Sequence, residues 1–183
     1  FISTVVLCGL IMLFFGRSNG IINNIREVLG YERIDFMTIP KYFDDIYIWS
    51  GVWQGLGWST IIYLAALSGV SPELVEAARI DGATRLQVIR HINIPTIMPT
   101  IVITLILSCG NVLSVGFEKV FLLQNDLNKD ASQVISTYVY QIGLISGQFS
   151  YSSAIGLFNT IINVLSIVTV NMIAKKVSDI SIW

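Results

Sequence analysis

Three long stretches without a charged side chain constrain the fold of this sequence more than any other feature. They cover residues 46–72, 92–117 and 131–174. A helix needs about 20 mostly apolar residues to cross the hydrocarbon core of a bilayer, and each stretch is long enough. Only 13% of the 183 residues are charged, whereas soluble domains carry about 25%. The sequence therefore predicts an integral membrane protein.

The apolar parts of these stretches, together with the uncharged N-terminal segment, predict four membrane crossings in an all-α fold. The crossings are expected at about residues 1–15, 46–70, 97–115 and 151–174. The N-terminal segment has neither the basic start nor the small-residue cleavage pattern of a signal peptide. We therefore expect the chain to be a fragment that begins inside a spanning helix.

Basic residues indicate the orientation of the chain. Arg79, Arg85 and Arg90 crowd the segment between the second and third crossings, and Lys175 and Lys176 directly follow the fourth. Such residues concentrate on the cytoplasmic side of a membrane, so this segment and the C-terminus are expected there. The stretch SQVISTYVYQIGL, before the fourth crossing, then lies outside, where its helical spacing of apolar residues predicts a helix that lies on the outer surface or over the bundle.

The most specific signal lies in residues 71–97, between the second and third crossings. Ser71 is a favourable N-cap, Pro72 suits the first helical position, and Glu73 puts negative charge in the first turn, so a helix is predicted to begin at Pro72. Three-and-four spacing predicts that this helix has one apolar face, formed by Val75, Ala78, Gly82, Leu86 and Ile89.

Glycine and proline mark two further points in this segment. Gly82 costs about 1 kcal/mol relative to alanine inside a helix, so either the helix bends there or another surface comes close. Pro95 and Pro99 are expected to end the cytoplasmic element and to begin the third crossing.

The same segment contains the motif Glu-Ala-Ala-x3-Gly-x9-Ile-x-apolar-Pro, in which x is any residue. The residues that fit it are Glu76, Ala77, Ala78, Gly82, Ile92, Ile94 and Pro95. The segment resembles the EAA loop of permease subunits of binding-protein-dependent (type I) ABC importers, in which Leu is usual at the position of Ile94. The stretches GFEKVFLLQN, GQFSYSSAIGLF and the terminal ISIW are similar to LplB-type oligosaccharide permeases of the MetI-like superfamily.

The resemblance implies a type I ABC transporter transmembrane domain over residues 1–183, truncated from six spans and ending at the natural C-terminus, in the bacterial cytoplasmic membrane. Its implied partners are a second permease subunit, a cytoplasmic ATPase dimer that binds ATP and Mg, and a solute-binding lipoprotein, with an oligosaccharide as substrate. The chain itself has no Walker A sequence and is expected to bind no cofactor or metal. The implied ATPase-coupling residues are Glu76, Ala77, Ala78, Asp81, Gly82, Ile92 and Pro95.

Two crossings carry polar side chains along one helix face, where contact with lipid is unfavourable. One face carries Thr100, Thr104, Ser108 and Asn111, and its continuation reaches Glu118; the other carries Ser152, Gly156, Asn159, Asn163 and Ser166. These side chains either bond helix to helix or line a pathway. The candidate pathway residues are Thr104, Ser108, Asn111, Glu118, Asn159, Asn163 and Gln54. Gly51 and Gly55 form a spacing typical of helix packing.

Two other functions fit the sequence less well. An intramembrane hydrolase needs a nucleophile and a base, or a metal, at membrane depth, but the only histidine, His91, lies in the basic loop. A channel needs a charged ring or a carbonyl filter, and neither sequence pattern occurs. An ABC permease with a different cargo, such as a peptide or a polyamine, remains an open alternative.

Overall fold

A computed structural model of the chain describes residues 1–111 and 116–178, and every regular element in these ranges is a helix. The predicted all-α fold is therefore confirmed. The last residues of the predicted third crossing, 112–115, and the terminal ISIW lie outside the described residues. The helices are α1 (Thr4–Phe15), α2 (Ile21–Val28), α3 (Pro40–Ser68), α4 (Pro72–Ile80), α5 (Arg85–Val88), α6 (Ile94–Cys109), α7 (Phe117–Leu123), α8 (Lys129–Ser132), α9 (Ile135–Tyr140) and α10 (Phe149–Ser178).

The long apolar helices are found where crossings were expected, although their bounds differ. Within the described residues, Arg85–Cys109 and Phe149–Lys176 are each long and apolar enough to cross a membrane. The helix α3 meets the same criterion together with α4, from which it is bent by 73°. The helix α1 has 12 residues and covers most of the predicted first crossing.

The expectation that Pro95 and Pro99 separate the cytoplasmic element from the third crossing is wrong. One continuous helix runs from Arg85 to Cys109, because a π turn at Ile89–Asn93 joins α5 to α6. Proline lacks an N–H group, and its ring crowds the preceding helical turn. The π turn directly precedes this proline pair. Its wider spacing, with the Ile94 N–H bonded to the Ile89 carbonyl oxygen, accommodates Pro95 in the first turn of α6 without a break in the helix.

The chain divides into two compact units, and the first comprises residues 1–56 and 113–159. Its apolar core brings together side chains of α1, α3, α7 and the α2–α3 connection: Leu7, Cys8, Ile11, Phe36, Phe43, Ile46 and Leu123. The helix predicted in the stretch SQVISTYVYQIGL is confirmed as α9, which a second π turn extends to Ile145.

Two fully buried asparagines hold the irregular connections of the first unit. Asn23 Nδ2 donates to the carbonyl oxygens of Gly16 and Ile34 at 2.9 and 2.8 Å, and its Oδ1 accepts from the Ile34 N–H at 2.8 Å. Asn128 Nδ2 donates to the carbonyl oxygen of Met37 at 2.9 Å, so the segment after α7 is tied to the segment before α3. Side-chain amides thus replace the backbone pairing that these connections lack.

The second unit comprises residues 57–112 and 160–183, of which 112 and 179–183 are not described. A Cβ atom at Gly110 would overlap the side chain of Ile167, so α6 and α10 approach closely at this glycine. Ile106, one turn earlier, is completely buried. This packing supports the C-terminal end of α6, which carries one of the two predicted polar faces.

Candidate functional site

The segment between α3 and α6 is an angled helix joined by a tight turn to the helix that follows. The helix α4 begins at Pro72, as predicted, with Ser71 as its N-cap and Glu73 in its first turn. The Ser71 side chain forms no capping hydrogen bond. The 73° bend relative to α3 turns α4 away from the direction of the preceding long helix.

The helix α4 ends in a Schellman motif at Gly82. The Gly82 N–H donates to the Arg79 carbonyl oxygen at 3.1 Å, and the Ala83 N–H donates to the Ala78 carbonyl oxygen at 2.9 Å. Gly82 has φ +80°, a left-handed conformation that residues with a Cβ atom rarely adopt. A Cβ atom there would meet nothing within 4 Å. Within this chain, Gly82 is therefore required by backbone conformation and not by a lack of space.

This break corrects the prediction of one helix with a continuous apolar face. The predicted face is divided between two helices: Val75 and Ala78 belong to α4, whereas Leu86 and Ile89 belong to the helix that begins at Arg85. Gly82 belongs to neither, because α4 ends at Ile80.

A capping box fixes the start of the next helix. The Thr84 side chain accepts a hydrogen bond from the Gln87 N–H at 3.4 Å, and the Gln87 side chain accepts one from the Thr84 N–H at 2.7 Å. His91 Nδ1 lies 3.0 Å from the Gln87 carbonyl oxygen, so the histidine ring also contacts the backbone of this helix. Hydrogen bonds at the end of α4 and at the start of the next helix therefore fix the turn between the two helices.

The surface of this segment is apolar as well as charged. No residue of α4 is buried, and Leu74, Ile80 and Leu86 are 55%, 86% and 73% exposed. Exposed apolar side chains clustered on one segment mark interaction surfaces. Of the predicted coupling residues, Ala78 and Ile92 are half-buried and the others are exposed, namely Glu76, Ala77, Asp81, Gly82 and Pro95.

The predicted pathway residues are divided between the two units. Gln54 and Glu118 line one cavity of about 320 Å³ in the first unit, and Asn159 lines another, of about 420 Å³, in the same unit. Thr104 and Ser108 line a cavity of about 410 Å³ in the second unit. Asn111 is exposed and donates to the Leu107 carbonyl oxygen at 3.4 Å, and Asn163 is half-buried on α10.

The predicted continuation of the α6 polar face to Glu118 is wrong. The helix α6 ends at Cys109, with Gly110 as its C-cap, and Glu118 lies in the first turn of the separate helix α7. A spacing measured along one helix cannot be carried across its end. Glu118 therefore shares a cavity with Gln54 of α3 instead.

The hydroxyl groups of α6 have partners within the second unit. Thr104 Oγ1 lies 3.0 Å from the Tyr63 hydroxyl oxygen and donates to the Thr100 carbonyl oxygen at 2.8 Å. Ser108 Oγ donates to the Thr104 carbonyl oxygen at 2.8 Å. The Tyr63–Thr104 contact joins α3 to α6, as expected for polar side chains that hold helices together.

Asn159 differs from these residues because its Oδ1 atom is buried and accepts no hydrogen bond from any described residue. Its cavity is also lined by the aromatic rings of Phe117, Tyr140 and Phe149. The Phe117 and Tyr140 ring centroids are 5.3 Å apart. The cavity thus combines apolar ring surfaces with an acceptor that a ligand hydroxyl could satisfy.

The charged residue that the sequence analysis missed is Lys119. Its side chain is only 6% exposed, and its Nζ donates to the Tyr47 carbonyl oxygen at 2.6 Å and lies 4.5 Å from the centre of the Tyr47 ring. A Cβ atom at Gly51 would lie 3.2 Å from this Nζ, whereas one at Gly55 would meet nothing within 4 Å. Gly51 thus makes room for the ammonium group, and helix packing through the Gly51 and Gly55 spacing stays a prediction.

These features define an all-helical membrane protein with an exposed, angled helical segment between two long apolar helices. The family described as "Binding-protein-dependent transport system inner membrane component" matches residues 2–179. The chain belongs to this family. The predicted class of protein, a transporter subunit rather than an enzyme, is therefore confirmed. The predicted location in the cytoplasmic membrane, with several crossings, is confirmed as well.

Two relatives from Bacillus subtilis (strain 168) are similar along almost the whole chain. The polygalacturonan/rhamnogalacturonan transport system permease protein YteP is 41% identical over 183 residues, which are 100% of this chain and 57% of that protein. Protein LplB is 39% identical over 176 residues, 96% of this chain and 55% of that protein. The chain thus spans a little over half the length of these relatives, and the expected LplB-type resemblance is confirmed.

Two solved structures are similar in fold and in sequence. The first is a bacterial alginate ABC transporter in complex with an alginate pentasaccharide-bound periplasmic protein. It matches with a TM-score of 0.94 and 37% identity, over 100% of this chain and 63% of that one. The second, a bacterial ABC transporter involved in the import of the acidic polysaccharide alginate, has a TM-score of 0.93 and 38% identity, over 97% of this chain and 62% of that one. The predicted type I transmembrane fold is confirmed.

Proposed function

We propose that this chain is a permease subunit of an ATP-driven importer that carries oligosaccharides across the cytoplasmic membrane. The named transport substrates of its relatives support this cargo, because polygalacturonan, rhamnogalacturonan and alginate are all polysaccharides. A peptide or polyamine cargo is the alternative that the experiment below distinguishes.

The observation that carries the coupling role is the exposed helix α4, held at 73° to α3 and without a buried residue. Exposed Leu74 and Ile80 give it apolar surface for a partner. Glu76, Arg79 and Asp81 add charges that can set the register of docking. We infer that α4 docks on a cytoplasmic ATPase.

The turn after α4 suits the transmission of movement. The Schellman motif at Gly82 and the capping box between Thr84 and Gln87 fix the angle between α4 and the next helix. That helix continues without a break into the apolar span that ends at Cys109. A displacement of α4 by an ATPase is therefore passed to a membrane span through a stiff connection.

The partners follow from this role. They are a second permease subunit, an ATPase dimer that binds ATP and Mg, and an extracytoplasmic solute-binding lipoprotein. The periplasmic protein in the related alginate transporter complex supports the last of these. The segment 71–97 and the C-terminus then face the cytoplasm, in agreement with their basic residues.

The direct experiment is to purify the full-length subunit with its co-encoded partners and to measure ATP hydrolysis in lipid nanodiscs. The binding lipoprotein is supplied with oligogalacturonides, alginate oligosaccharides, neutral oligosaccharides, peptides or polyamines. Stimulation by one of the oligosaccharide classes is expected. Stimulation by peptides or polyamines alone, or the failure of any ATPase to co-purify, would contradict the proposal.

A further inference from the structure

Lys119 is a buried positive charge that has no negative partner among the described residues. No described carboxylate forms an ion pair with Lys119, although the residue is only 6% exposed to solvent. An isolated buried ammonium group is costly, and such groups are normally paired. Burial lowers the pKa of Lys119, which reflects the same cost. The Tyr47 carbonyl oxygen and ring compensate the charge in part, since both are electron-rich but uncharged.

The ammonium group lies at a polar cavity and not within a closed core. Lys119 lines the cavity of about 320 Å³ together with Glu118, Gln54, Thr4 and Tyr47. Ligand sites of this size combine a mostly apolar wall with a few placed polar groups. An ammonium has three N–H donors, and the Tyr47 carbonyl oxygen accepts from one of them at 2.6 Å. The others are available to a ligand that enters the cavity.

We propose that this cavity is a subsite for an acidic sugar unit, in which the Lys119 ammonium pairs with the sugar carboxylate. The inference rests on the proposed function, and it names the chemical class of cargo that this subunit contacts. Its central observation is the buried lysine, for which no described carboxylate forms an ion pair and which a neutral sugar would leave without one. The acidic polysaccharides named for the relatives agree with this chemistry.

Glu118 does not cancel the attraction. Its carboxylate lines the same cavity but belongs to an exposed residue, and water screens exposed charges strongly. Lys119 is buried, so its field is screened much less. A carboxylate that reaches Lys119 is therefore attracted, while Glu118 at the exposed side can accept hydrogen bonds from sugar hydroxyls.

The test measures binding of tetragalacturonate and of its fully methyl-esterified form to the detergent-solubilised full transporter without its binding protein. Lys119→Met removes the charge and keeps an unbranched side chain, Lys119→Arg keeps the charge, and Lys41→Met removes an exposed lysine of α3 as the matched control. Lys119→Met is expected to weaken tetragalacturonate binding by roughly tenfold or more. Its effect on the ester should stay within about twofold.

Lys119→Arg is expected to retain at least part of the acid preference, and Lys41→Met to match the wild type. Equal weakening of acid and ester by Lys119→Met, or no weakening of either, would overturn the subsite. If the Lys119→Met transporter does not assemble, the Lys119→Arg variant is decisive. Loss of its preference for tetragalacturonate, with normal binding of the ester, would overturn the subsite as well.

Substrate-stimulated ATP hydrolysis is recorded in parallel. Stimulation by neutral oligosaccharides with no tetragalacturonate binding refutes the subsite alone, whereas no stimulation by any oligosaccharide refutes the proposed function.

Discussion

The amide N–H of Ala83 donates a hydrogen bond to the carbonyl oxygen of Ala78 at 2.9 Å, and this bond closes the turn that ends α4. The bond requires the left-handed conformation of Gly82, at φ +80°. Because the turn orients α4 relative to the helix that follows, the geometry of the coupling segment depends on a single glycine.

Replacing Gly82 tests whether conformation or small size is required at this position. Left-handed backbone costs residues with a Cβ atom about 1 kcal/mol or more, and asparagine tolerates it better than most. Gly82→Val is expected to abolish substrate-stimulated ATP hydrolysis, with normal membrane insertion, while Gly82→Asn keeps much of it. If asparagine is as damaging as valine, close approach of a partner and not backbone conformation is the requirement.

Thr84→Val removes the oxygen that caps the helix starting at Arg85 and keeps the side-chain shape. The expected loss is about 1 kcal/mol of local stability, the usual value of an N-cap. Hydrogen exchange of the Gln87 and Val88 amides, which donate to Thr84, should accelerate about fivefold in the intact transporter. Thr96→Val is the control, because Thr96 Oγ1 donates to the Ile92 carbonyl oxygen within the helix and caps no terminus. Unchanged exchange in Thr84→Val would contradict the capping role.

The Tyr63–Thr104 contact distinguishes helix packing from a transport pathway. A double-mutant cycle of Tyr63→Phe and Thr104→Val is expected to give a coupling free energy of about 0.6 kcal/mol in unfolding experiments. Oligosaccharide uptake by both single variants should stay close to wild type, since the hydroxyl groups are used within the protein. Loss of uptake without loss of stability would instead assign Thr104 to the pathway.

Asn23 is a fully buried side chain with three hydrogen bonds in the connection between α1 and α3. Asn23→Ala leaves the Ile34 N–H and the Ile34 carbonyl oxygen without the Asn23 side chain, whereas the Gly16 carbonyl oxygen keeps the Gly20 N–H at 3.1 Å. Each buried unsatisfied group costs about 1–3 kcal/mol. We expect a fall in the free energy of unfolding of about 3 kcal/mol, measured by thermal denaturation of the solubilised transporter. Asn24→Ala is the neighbouring control, because Asn24 accepts a hydrogen bond from Arg33 at the exposed surface. Equal effects of the two substitutions would refute the account of this connection.

Local patterns were sufficient to predict much of the fold. The N-cap and proline at Ser71 and Pro72 predicted the start of α4, because these signals act within one helical turn. Charge-free apolar runs predicted the positions of α3 and α10 for the same reason: they depend on composition within one segment. The family register of the EAA segment predicted which stretch forms the candidate coupling element.

The errors arose where a pattern remains regular across a structural break. Val75, Ala78, Gly82 and Leu86 are spaced as on one face of a single helix. The same sequence spacing is also compatible with two helices joined by a tight turn, which is what the structure shows. Pro95 was expected to interrupt a helix that a π turn allows to continue. Lys119 could not be found from sequence, because its partner Tyr47 is 72 residues away and a lysine beside Glu118 has the pattern of a solvated surface.

Photo-cross-linking tests the central claim, that α4 docks on an ATPase, most directly. A benzoylphenylalanine at position 77, on exposed α4, is compared with one at position 144, where Leu144 is 67% exposed in the helical segment that ends at Ile145. Irradiation of the full transporter in native membranes is predicted to link position 77, and not position 144, to the ATPase subunit. A link from position 144 to the ATPase, or none from position 77, would contradict the account.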